Sequence, residues 1–115
     1  MSEQRLESGN QNRRRIPRKR TLQRGKIVYG EGAFTVDCRI RDISGKGARI
    51  TVDKGISIPM HVYLIDLQGG MAYAAEISYI RAPTFGLNFL RSYRISELSD
   101  PSLRYLHHCW VGAVR

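Results

Sequence analysis

The sequence predicts a mainly β fold: about six short antiparallel strands, closed as a barrel or a small sandwich, followed by one helix. Three observations carry this reading. From Gly25 onward, apolar and polar residues alternate with a period of two. Turn signals interrupt that alternation roughly every ten residues. Only the last stretch, after Ser99, changes to helical spacing.

The elements follow in order. KIVYGEGAF reads as strand, Gly-rich turn, strand. In VDCRIRD, Val36, Cys38 and Ile40 share one face, and Asp37, Arg39 and Arg41 share the other. ISGKG carries two glycines and reads as a hairpin turn. ARITVD then sets Ala48, Ile50 and Val52 inward. MHVYLID is the next strand, with Met60, Val62 and Leu64 expected on its inner face. After the QGG turn comes MAYAAEISYI; APT breaks it, and FGLNFL closes the series with Phe85, Leu87 and Phe89 inward. In SDPSLRYLHHCWVGAVR, Asp100 suits a helix N-cap and Pro101 the first helical position. Leu103, Leu106 and Trp110 form the apolar stripe that would lay this helix against the strands.

At 115 residues the chain is one domain. Residues 1–12 are polar and read as a disordered tail; 13–95 form the β domain, including a basic arm at 13–20; 96–115 form the C-terminal helix. The net charge of +9 is concentrated at the start. Residues 1–26 hold nine Lys/Arg against Glu3 and Glu7, whereas the remainder is close to balanced. RRRIPRKR, Arg13 to Arg20, is the densest part, and Pro17 keeps Ile16 out of helical geometry. A local cationic block of this kind marks a segment for an anionic partner. No secretory core and no membrane-spanning run is evident, and Cys38 and Cys109 have no close-spaced partner. A cytoplasmic protein with free thiols is expected.

Two short features stand out together. Arg14 and Arg18 form an RxxxR spacing within the arm, and Asp42, Ser44 and Gly47 form a DxSxxG at the hairpin turn. Either alone is common. RRxxR before the first strand, DISxxGARI between strands two and three, and FGLNF in the last strand together resemble the PilZ domain family over about residues 13–90. The resemblance implies a six-stranded antiparallel β-barrel with a C-terminal helix and a cyclic di-GMP receptor. It also implies that Arg14 and Arg18 clasp guanine and phosphate. Arginine suits both, because its planar fork donates two parallel bonds to a guanine edge and also stacks on a ring. Arg13, Arg15, Lys19 and Arg20 are weaker candidates, for phosphate contact or steering. Asp42 would accept from the guanine N1–H and N2–H. Ser44 would bond a phosphate or base edge, and Gly47 would act through its backbone, by positive φ or by leaving room for a ring. Gly45 departs from the bulkier residue frequent in relatives.

On this reading the arm is mobile without ligand, and ligand bridges arm and turn, changing the surface that a downstream protein partner meets. Excess charge near the arm predicts a monomer in the absence of ligand. The expected ligand is cyclic di-GMP, with no resident cofactor and no metal; neighbouring residues in HHC point different ways on a helix. No catalytic set is apparent, so an enzyme is not expected. The alternatives are a nucleic-acid-binding small barrel, for which only Tyr29, Tyr63, Tyr73 and Tyr79 offer stacking faces, or a PilZ adaptor that binds no ligand.

Overall fold

Six antiparallel strands close into a barrel in the computed structural model, which describes residues 19–114, with side chains over 23–114. The strands are β1 Lys19–Tyr29, β2 Phe34–Ile43, β3 Gly47–Thr51, β4 His61–Asp66, β5 Met71–Arg81 and β6 Thr84–Arg94. Around the barrel they run β1-β2-β3-β6-β5-β4, and β4 closes back onto β1. A closed sheet has no edge, so no row of backbone donors is left to pair with another chain.

The alternation read from the sequence fills this barrel. Ile27, Cys38, Ile40, Ala48, Ile50, Val52, Val62, Leu64, Phe85 and Leu87 are buried together inside, and Phe89 packs against them. Two expectations change. Met60 is 57% exposed, because β4 begins only at His61; the Met60 carbonyl instead accepts from the Ile77 N–H at 2.9 Å. The first strand also starts earlier than the alternation suggested. Lys19 and Arg20, assigned above to the arm, are strand residues paired with Ile43 and Asp42. The tail and Arg13, Arg14, Arg15 and Arg18 lie outside the described residues.

A second apolar layer covers part of the outer wall. The helix α1, Arg104–Val114, follows a 3-10 turn at Pro101–Leu103. Asp100 caps that turn, accepting from the Ser102 N–H at 2.9 Å and its hydroxyl at 2.8 Å. Leu103 and Leu106 are buried against Val28, Ile65, Leu67, Ala72 and Ile95. Trp110 lies half-buried beside them, and its indole N–H donates to the Leu67 carbonyl at 3.1 Å. The helix thus seals one side of the barrel, and among the described residues no helix covers the wall around β2 and β3.

Burial has a measurable consequence at Cys38, whose thiol is pushed up to about 12 by desolvation inside the barrel. An unfolded thiol ionises near ~8.5. The folded value is the higher one, so this contribution to stability is complete below the unfolded value and is lost as pH rises towards about 12. At neutral pH a thiol reagent should modify half-buried Cys109 first and reach Cys38 only as the protein unfolds. Equal labelling rates for the two cysteines in the native protein would contradict this.

Candidate functional site

The β2–β3 turn is held from three sides. The Ser44 N–H donates to the Gly47 carbonyl at 2.9 Å, and the Lys46 N–H donates to the Ser44 hydroxyl at 3.2 Å. The Lys46 carbonyl accepts from the Phe89 N–H at 2.8 Å, which ties the turn to β6. Gly47 is glycine for a reason the sequence did not reveal. A Cβ there would fall on the Leu87 carbonyl oxygen, so the residue permits close approach of β3 to β6. It has no positive φ. Gly45, by contrast, has open space around it.

Asp42 owes its position to a β-bulge. Ile40 pairs with Ile50 and Asp42 with Arg49, so Arg41 is an extra residue in β2. Simple alternation would send Asp42 inside with Ile40. The bulge turns it to the outer wall beside Arg49, a re-aiming that such irregularities commonly provide. There the Asp42 carboxylate receives the Arg49 Nη2 at 2.9 Å and is 4% exposed.

A second bulge does the same on β5. Ile77 pairs with Leu87 and Tyr79 with Gly86, which makes Ser78 the extra residue. Tyr79 therefore leaves the inner face of Ile77 and lies outside, 40% exposed, its ring over Gly86, where a Cβ would collide with it. The Arg81 guanidinium sits 5.5 Å from the Tyr79 ring centre.

Register joins these residues into one row. Arg20 pairs with Asp42, Asp42 with Arg49, Arg49 with Gly86, and Gly86 with Tyr79. The row crosses five strands, and of its described side chains Asp42, Arg49 and Tyr79 share the outer face. They offer a fixed carboxylate, a guanidinium and an aromatic face, with the backbone of Arg20 paired at one end. Farther down the same wall, Arg24 and Arg39 oppose each other, and Arg41 reaches the Thr51 hydroxyl at 3.5 Å. Like charges set opposite each other are unfavourable, and they make this wall attractive to an anion. Lys26 is neutralised locally by Asp37 at 2.8 Å, and that bond lowers the Asp37 pKa.

Of the residues expected to bind ligand, the structure brings Asp42, Ser44 and Gly47 to one turn, with the backbone of Lys19 and Arg20 beside it. Arg49, Tyr79 and Gly86 join the site through register, which only a visible bulge would have signalled. The four tyrosines considered for base stacking are dispersed. Tyr29 stacks on Phe34, Tyr63 packs near Tyr93 and Tyr105 in the helix layer, and Tyr73 stacks on Phe89. Only Tyr79 faces the open wall. Among the described residues no group of His, Cys, Asp and Glu could hold a metal ion, and no helix is long and apolar enough to cross a membrane.

The family model for the PilZ domain matches residues 12–101 of the chain. No curated protein matches it significantly.

Proposed function

Since the chain belongs to the PilZ domain family, a family of cyclic di-GMP-binding receptors and adaptors rather than enzymes, we propose that it binds this dinucleotide between the RxxxR arm and the DxSxxG turn. One observation carries the reading: the pairing of Lys19 with Ile43 and Arg20 with Asp42. The first strand begins at Lys19, directly after Arg18 in the sequence, and Arg20 stands opposite Asp42 on the neighbouring strand. A dianion with two guanine rings needs cations for its phosphates and donors for the O6/N7 edges, which Arg14 and Arg18 supply. It needs acceptors for N1–H and N2–H, which Asp42 supplies, and Ser44 adds a hydroxyl. Arg49 and Tyr79 extend the same surface with a further guanidinium and a stacking face. Arg13, Arg15, Lys19 and Arg20 contribute phosphate contacts or steering. Ligand fixes the arm against the open wall, and the changed wall is what a downstream protein reads.

Calorimetry at physiological salt tests this reading. Cyclic di-GMP should bind saturably, GTP and cyclic di-AMP should not, and Arg18→Ala should weaken binding at least about ten-fold, the scale of one bidentate guanine contact. Equal, salt-sensitive binding of every nucleotide would mark the arm as a general polyanion segment instead.

A further inference from the structure

A cavity of about 600 Å³ opens at the end of the barrel beside the DxSxxG turn. Its walls include Gln23, Ile43, Ser44, Asp66, Gly69 and Tyr73. This volume is within the usual range for small-molecule sites. Ile43 and the Tyr73 ring, stacked on Phe89 with centres 4.0 Å apart, give it apolar surfaces. Ser44 connects it to the candidate site.

Its most specific feature is Asp66, a carboxylate only 7% exposed at the end of β4. Two donors hold it: the Gln23 side-chain amide at 2.7 Å and the Gly69 N–H at 3.0 Å. Both converge on Oδ1. Oδ2 receives no hydrogen bond among the described residues, and a Cβ at Gly69 would crowd it, so that glycine keeps the space beside Oδ2 clear. Burial and the nearby Asp66 charge push the Tyr73 pKa up.

The expected ligand has two guanines, hence two N1–H/N2–H edges that each need an acceptor. Asp42 can serve one. We infer that the barrel-mouth cavity holds the second guanine, with Asp66 accepting from its N1–H and N2–H through Oδ2. The inference rests on the proposed cyclic di-GMP reading and adds a residue that reads the identity of the second base. The ring lies against Ile43 and Tyr73, and its donor edge meets a carboxylate already oriented by Gln23 and Gly69. An adenine there presents no N1–H and no 2-amino group, so it leaves the carboxylate unanswered.

The test compares cyclic di-GMP with cyclic GMP-AMP, which keeps one guanine, on the full chain and on Asp66→Asn. Asparagine retains an oxygen for the Gln23 and Gly69 donors, and its melting temperature checks the fold. The unaltered protein should prefer cyclic di-GMP by about ten-fold or more. Asp66→Asn should lose that preference, binding both nucleotides to within about three-fold. A readout free of any variant is the Gly69 amide resonance, which should shift on saturation with cyclic di-GMP. If Asp66→Asn keeps both affinity and preference, or if Gly69 stays still while residues 42–47 shift, the inference is wrong and the receptor reading stands. If the unaltered protein fails to bind cyclic di-GMP, both fall.

Discussion

Gly47→Ala should lower the melting temperature by about 10 °C or more, the largest stability effect expected of a single methyl group in this chain. The added Cβ meets the Leu87 carbonyl oxygen, with the Leu87 carbonyl carbon and the Asn88 Cα just behind it. All three are backbone atoms of a paired strand, so no rotamer change relieves the clash. β3 and β6 must separate, and the Phe89-to-Lys46 and Ser44-to-Gly47 hydrogen bonds that hold the turn stretch with them. Overpacking of this kind costs about 1–3 kcal/mol, and each weakened hydrogen bond adds about 1 kcal/mol. Two further substitutions serve as controls. Gly45→Ala meets nothing within contact range and should stay within about 0.5 kcal/mol of the parent. Gly86→Ala meets only the Tyr79 ring, the outer end of a rotatable side chain, and should cost less than Gly47→Ala while displacing that ring. Circular-dichroism melts decide the order. A Gly47→Ala protein melting within about 2 °C of the parent would show that the strands tolerate the methyl and that the glycine serves the ligand alone.

What the sequence revealed and what it hid divide along a physical line. Side-chain alternation is a direct consequence of strand geometry, so the inward set from Val36 to Phe89 could be read from residue types alone, with Met60 the exception. The helix was legible because Asp100, Pro101 and the Leu103–Leu106–Trp110 stripe each have a local cause. A bulge has none. One extra residue leaves no trace in composition, yet Arg41 and Ser78 decide on which wall Asp42 and Tyr79 stand. Counted by twos, both would have been placed inside the barrel. The start of β1 was hidden for a different reason. Six cations in eight residues suggest a repelling arm, whereas Lys19 and Arg20 pair by backbone with β2. Their strand character follows from Ile43 and Asp42 across the ladder and from nothing adjacent in the chain. Asp66 was similarly plain as the last residue of the MHVYLID strand; its importance comes from Gln23, a distant residue brought near by barrel closure.

Asp42→Ala should both destabilise the barrel and weaken ligand binding, and the two losses can be separated through Arg49. The pair is 2.9 Å apart, with the carboxylate side chain 5% exposed and the guanidinium 40%. Exposed ion pairs contribute about 0–1 kcal/mol, while breaking a fully buried pair costs about 3–5 kcal/mol. This pair lies between those limits, so removing Asp42 should cost about 1–3 kcal/mol in urea unfolding at neutral pH. Much of that cost would come from Arg49, whose buried Nε already lacks a hydrogen-bond partner among the described residues and would then lose the carboxylate as well. The Asp42→Ala, Arg49→Ala double variant should therefore be less destabilised than the sum of the two single variants. Additivity within about 0.3 kcal/mol would deny the coupling. Binding then discriminates between the roles of the carboxylate. If Asp42 only orients Arg49, the two single variants should lose equal affinity for cyclic di-GMP. If Asp42 also accepts from a guanine, Asp42→Ala should lose about ten-fold more than Arg49→Ala. Direct contact is the expected result, because guanine presents two adjacent donors, N1–H and N2–H, that a carboxylate can accept together.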